Sequence, residues 1–132
     1  MFDNYTKLVI EGKEYWLAYT AQAMIRLNED LKDREITEVI LGNKREDFDA
    51  FCHILSVLSE CGELARRYEG FADGIVLEEN LLRACLGPLT LLEAKKAGIH
   101  AIMKGLGREI QDENEAVSYT HLLAENPLER AS

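Results

Sequence analysis

The sequence predicts a mainly α fold carrying a small N-terminal β-hairpin (α+β), a compact bundle of about four to five helices. Three observations predict it. Residues 6–19 alternate apolar and other side chains at period two around a glycine. Most of the chain from residue 20 to about 110 repeats apolar residues at helical spacing. Glycine and proline then punctuate that helical pattern at Gly42, Glu69–Gly74 and Gly87-Pro88. The 132 residues, 47% of them apolar, suffice for one domain with a real core. It is expected over residues 1–113, followed by an acidic tail over 114–132.

Each element has a local cause. Leu8, Ile10, Tyr15, Leu17 and Tyr19 supply the alternation of two strands, and Gly12 the permissive backbone between them. A lone hairpin is marginal in water, so it must pack on the helices. Thr20 is placed to cap a helix over 21–32, whose expected apolar face is Ala21, Met24, Ile25, Leu27, Asn28 and Leu31. Ile36–Leu41 reads as a short helical turn that Gly42 ends. Asn43 with Glu46 resembles a capping box opening a long helix to Tyr68. Phe48, Phe51, Cys52, Leu55, Leu58, Cys61, Leu64, Ala65 and Tyr68, widened by Ile54 and Val57, make that helix the central one. After the loop, a helix is expected over Ile75–Leu86, and a last one from about Leu89 to Ile110. In the last helix Ala94, Gly98, Ala101 and Gly105 form a small-residue ridge suited to close approach, within the domain or between copies in a homo-oligomer.

Charge and cysteine content narrow the function classes. The net charge of −9 opposes general binding to nucleic acid or to an anionic membrane surface. There is no basic leader with an apolar core and no apolar run near the ~20 residues of a membrane span. Cys52, Cys61 and Cys85 are odd in number and fall on expected apolar helix faces, as buried thiols do in a reducing cytoplasm. The acidic residues of 109–129, with no Lys or Arg among them, predict a mobile tail whose removal leaves the fold intact.

No catalytic set emerges. Glu60 and Glu63 lie at i, i+3, a spacing that can hold Mg²⁺ beside a phosphate. This ExxE resembles the first metal motif of the all-α nucleotide pyrophosphohydrolases. Glu109 and Asp112 supply an ExxD, but 45 residues separate it from Glu63, longer than that family's usual gap. The favoured reading is a solvated helix face paired with Arg66 and Arg67, on which Glu63→Gln leaves folding unaltered. His53, His100 and His121 sit on separate segments with no second ligand at helical spacing, and Cys52 and His53 diverge by ~100° on a helix. Gly105-Leu106-Gly107 lacks a third glycine at Ile110 and follows no strand, which removes a dinucleotide motif. Lys95, Lys96, Lys104 and Arg108 form a basic strip whose expected partners are acidic residues of the chain itself. No cofactor, metal or enzymatic activity is expected.

The order of elements resembles the tail assembly chaperones of long-tailed phages and prophages. The residues that carry the likeness begin with the hairpin turn Ile10-Glu11-Gly12-Lys13-Glu14-Tyr15, which leads through Tyr19-Thr20 into a helix. A short helix ending at Gly42 and a long apolar helix with Leu55 and Leu58 follow, and the stretch Ala94–Ile102 is similar to the last family helix. The likeness covers roughly residues 6–113, is strongest over Leu8–Leu31, and departs from the family in the long Gly-rich connection 69–75. It implies a non-enzymatic protein of the bacterial host cytoplasm that binds the tape-measure protein and tail-tube subunits during tail assembly and is absent from the finished virion. It also implies a longer, frameshifted form diverging at the acidic tail. A client helix with an exposed apolar stripe needs an apolar face to cover it. The candidates are Tyr15, Trp16 and Tyr19 of the hairpin with Ile99 and Met103 of the last helix. The alternatives are a helical adaptor or regulatory protein, and the Mg²⁺-dependent pyrophosphohydrolase using Glu60, Glu63, Glu109 and Asp112.

Overall fold

β1 (Thr6–Ile10) and β2 (Lys13–Leu17) pair antiparallel with Leu8 opposite Tyr15 and Thr6 opposite Leu17. The turn is Glu11-Gly12, with φ of 51° and 78°. Two successive left-handed residues give the tight turn whose twist matches that of paired strands, and glycine adopts it without strain. Thr6, Leu8, Ile10, Tyr15 and Leu17 share the buried face. This is a computed structural model, and it describes residues 5–107.

Among the described residues five helices follow: α1 (Ala21–Asp30), α2 (Ile36–Leu41), α3 (Arg45–Tyr68), α4 (Glu79–Cys85) and α5 (Pro88–Gly105). The protein is mainly helical with a two-stranded N-terminal hairpin, the architecture the sequence predicts. α3 is the hub, touching β2, α1, α2, α4 and α5, and α5 covers β1 and reaches α2. Phe51, Cys52, Ile54, Leu55, Val57 and Leu58 of α3 form the centre of the core.

Several local expectations need correction. Thr20 does cap α1, its Oγ1 accepting the Ala23 amide at 3.2 Å. The buried positions, however, are Ala23, Leu27 and Leu31, while Met24 and Ile25 face outward. Helix phase is set by what lies opposite, and α1 packs on α3 with Ala23 fully buried. The start of α3 is capped one residue later than Asn43 suggests: the Lys44 amide donates to Asp47 Oδ2 at 3.1 Å. Asp47 also pairs with Arg34. α4 begins at Glu79, not Ile75. Residues 71–78 form an extended strap because Leu77 is drawn into the core and its amide donates to Ser59 Oγ at 2.9 Å. The last turn of α3 leaves the core, with Leu64 exposed and Tyr68 93% exposed. α5 ends at Gly105, five residues short of the expected Ile110. Cys52 and Cys61 are buried as expected, whereas Cys85, the last residue of the short α4, is exposed. The expected domain end at 113, the 114–132 tail, Arg108, Glu109, Asp112 and His121 lie outside the described residues.

Candidate functional site

Two glycines bring the hairpin onto the helices. A Cβ on Gly62 of α3 would collide with the Trp16 carbonyl and lie 3.1 Å from the Ala18 nitrogen. The Ala18 amide donates to the Leu58 carbonyl of α3 at 3.1 Å. On α5, a Cβ on Gly105 would meet the Tyr19 carbonyl and lie 2.7 Å from its Cβ. The strand exit is thus seated backbone to backbone between α3 and α5.

That seat directs Trp16 outward beside α3, where it meets Tyr5 and Arg66, both of which also meet Phe71. The Tyr5 ring stands edge-on to Trp16 and to Phe71, with 6.4 Å between ring centres in each case. The Arg66 guanidinium lies 5.1 Å from the Trp16 ring centre and 5.2 Å from that of Phe71, within cation–π range of both. Burial, with Glu69 next, pushes the Tyr5 phenol up to about 12, so it remains neutral. Phe71 is 48% exposed and Trp16 half-buried, so the cluster presents aromatic surface to the outside. Phe71 enters through the helix ending: Gly70 at φ 94° lets the Phe71 amide donate to the Arg66 carbonyl at 3.0 Å and the Gly70 amide to the Arg67 carbonyl at 3.0 Å.

Glu63 lies beneath this cluster and is 2% exposed. Its Oε1 accepts from Arg66 Nη1 at 2.9 Å, and its Oε2 accepts from Arg67 Nε at 3.0 Å and from the Gly74 amide. A Cβ at Gly74 would sit 2.7 Å from the carboxylate, so a larger residue there would push the Glu63 side chain aside. Burial alone would raise the Glu63 pKa, but the Gly74 amide and the two arginines outweigh it and hold the carboxyl below its usual value. Arg66 and Arg67 are its partners, as the sequence suggests. The solvated-face reading is corrected: Glu63 pins the strap to α3. Glu60 faces elsewhere and pairs with Arg26 at 3.3 Å. Among the described residues no three His, Cys, Asp or Glu groups are placed to share a metal ion.

The five candidate partner-binding residues are not equivalent. Tyr15 is 4% exposed and belongs to the core, because its position in β2 falls on the inward face; this corrects its assignment to an accessible surface. Trp16, Tyr19, Ile99 and Met103 are half-buried. The ridge residues Ala94, Gly98 and Ala101 are buried, Gly98 lying against Phe51, so the ridge serves an internal contact. Two lysines of the basic strip bind backbone carbonyls in place of the expected carboxylates: Lys95 binds Gly42 at 3.1 Å and Lys104 binds Tyr5 at 3.0 Å. A cavity of about 100 Å³ opens between the hairpin turn and α4; Ile10, Tyr15, Leu77, Leu81, Leu82, Cys85 and Leu86 line it together with the charged Glu11 and Lys13 of the turn.

Tyr5 and Phe71 escape sequence reasoning, as does the stacking role of Arg66. Tyr5 lies some sixty residues from the other two, and only the aromatic residue inside the Gly-rich 69–74 segment, five residues after Arg66, hints at a loop that folds back. No helix among the described residues is long and apolar enough to cross a membrane. No protein-family model matches the chain, and searches of curated sequences and of solved structures return no match.

Proposed function

We propose that the protein is a tail assembly chaperone that binds the tape-measure protein and tail-tube subunits of a long-tailed phage or prophage. The observation that carries this reading is the half-exposed aromatic face of Trp16, Phe71 and Tyr5, built where the hairpin enters the helices. The hairpin–helix order, on which the family resemblance rests, supports it. A tape-measure protein is expected to be a long helical chain whose apolar stripe must be covered until the tube encloses it. Aromatic rings offer large apolar area with little loss of side-chain freedom, and an amphipathic helix docks on such a face through residues one turn apart. The net charge of −9 keeps copies apart in solution while they hold apolar clients.

The test begins with the DNA flanking the gene. A tube-protein gene upstream and a very long helical reading frame downstream are expected, and unrelated neighbours overturn the reading. Co-expression follows. The long helical protein should be insoluble alone, soluble with the wild-type chain, and recovered several-fold less with Phe71→Ser. A client that is soluble by itself, or a folded globular partner captured in its place, would favour an adaptor.

A further inference from the structure

His53 stands on α3 between carboxylates of two other helices. Its Nε2 lies 2.6 Å from Asp30 Oδ2 at the end of α1, and its Nδ1 is hydrogen-bonded to Glu79 Oε1 in the first turn of α4. A neutral imidazole has one N–H and can donate to only one of them; its other nitrogen would then present a lone pair to a carboxylate oxygen. The imidazolium donates to both. The two nitrogens point to opposite partners, so the three groups cannot converge on a single metal ion. Arg83 of α4 completes the cluster, binding Glu79 at 3.0 Å and Asp49 of α3 at 3.2 Å. The charged groups around His53 are therefore Asp30 from α1, Glu79 and Arg83 from α4, and Asp49 from α3 itself.

α4 depends on this cluster. It has seven residues, of which Leu82 alone is buried, and it hangs between the 71–78 strap and the Gly87-Pro88 break. Its polar ties to α3 are His53–Glu79 and Arg83–Asp49. Between α4 and the hairpin turn lies the cavity, lined by Leu82 and Leu86 of the α4 segment and by Ile10, Tyr15 and the charged Glu11 and Lys13 of the hairpin.

We propose that His53 is a proton-operated latch: protonated it ties α1 and α4 to α3, and neutral it releases α4 and opens the cavity between α4 and the hairpin turn. The inference goes beyond the chaperone reading and stands without it. Burial opposes the charge on His53, but the bonds to Glu79 and Asp30 outweigh burial and raise its pKa above the usual 6.5. Glu79, whose own burial is outweighed by His53 and Arg83, is held below its usual value and stays ionised as His53 titrates. The sign follows. A raised folded pKa gives a contribution fully present below the unfolded value and lost as pH rises through the folded value.

The experiment follows the His53 imidazole by NMR in the full chain from pH 5.5 to 9. Alongside it, exchange of the Leu82 and Leu86 amides, which bond to Glu78 and Leu82 carbonyls, is measured and corrected for intrinsic base catalysis. His53 is expected to titrate above 6.5. Across the titration, protection of these amides should fall about tenfold for each unit by which the measured pKa exceeds the unfolded one. Amides at Leu55 and Leu58 should keep theirs. His53→Gln should give low α4 protection at every pH. Asp30→Asn, which leaves the Glu79 bond in place, should lower the His53 pKa and shrink the pH response in proportion. A His53 pKa at or below 6.5, an equal loss at Leu55 and Leu58, or a pH response that survives His53→Gln overturns the proposal.

Discussion

Glu63→Gln isolates the pin that holds the 71–78 strap. The wild-type carboxylate accepts from Arg66 Nη1 at 2.9 Å, from Arg67 Nε at 3.0 Å and from the Gly74 amide, with 2% of the residue exposed. Glutamine keeps one acceptor oxygen and turns an NH₂ toward a donor, so at least one charge-assisted bond is lost and two donors face each other. A hydrogen bond to a charged group contributes roughly 1.5–3 kcal/mol, and removing one partner of a buried ion pair costs roughly 3–5 kcal/mol. Arg67 is part-exposed and regains water, which places the cost near the lower end, about 3 kcal/mol. For a domain of this size that lowers Tm by about 10 °C, readable by circular dichroism at pH 7. Because the folded pKa of Glu63 is depressed, its contribution is present above the unfolded value of 4.5 and lost as pH falls through the folded one. The gap between wild type and variant should therefore close in acid. A divalent-cation site at Glu60 and Glu63 predicts the reverse. Glu63→Gln would then relieve repulsion and raise the Tm of the metal-free chain, and Mg²⁺ would raise that of the wild type. Either result, or a variant within about 2 °C of wild type, would refute the assignment of Glu63 as a structural pin.

Other changes read other parts of the framework. Gly62→Ala gains about 1 kcal/mol of helix propensity but drives a Cβ into the Trp16 carbonyl; a net loss of about 2 kcal/mol is expected, measured as a lower urea midpoint. A stabilised Gly62→Ala would mean that the hairpin is not seated there. In native protein an aromatic disulfide reagent should titrate Cys85 alone, whereas Cys52 and Cys61 react only after unfolding. Burial, with smaller opposing and reinforcing charges around it, pushes the Cys52 thiol up to about 11, which adds to its inertness. Three thiols reacting in the native state would contradict the core described for α3.

Much of the fold was legible because it is local. Period-two alternation around Gly12 specifies the hairpin, Thr20 the start of α1, Gly42 the end of α2 and Gly87-Pro88 the break before α5. The misses are tertiary. Met24 and Ile25 are apolar, yet the side of α1 that is buried carries Ala23 with Leu27 and Leu31, and only the partner helix decides which side that is. The run Ile75-Val76-Leu77 suits a helix edge or an extended strap equally, and the pull of Ser59 and the core on Leu77 decides. At the candidate site, the i+3 and i+4 arginines beside Glu63 could be read from spacing, but its burial depends on Gly74, eleven residues on. Gly62, costly inside a helix, was the available sign that another backbone comes close at that point.

The two walls of the aromatic face are attached in different ways, and this has a consequence for binding. The Trp16 wall is fixed by backbone contacts: its carbonyl on Gly62, the Ala18 amide on Leu58, and the Tyr19 carbonyl on Gly105. No rotamer can adjust there without moving β2 against two helices. The Phe71 wall belongs to the strap, which is tied by backbone only at its start, where the Phe71 amide meets the Arg66 carbonyl, and beyond that is held through the Glu63 carboxylate, Ser59 Oγ and the Leu77 side chain. Local opening is drawn from segments with few buried side chains, and the strap buries Leu77 alone. A client seated on Trp16 and Phe71 should therefore register in hydrogen exchange at the Gly74 and Leu77 amides, slowing both, while Ala18 exchanges as before. Slowing at Ala18 with Gly74 and Leu77 unchanged would move the contact off this face and onto the far side of the hairpin.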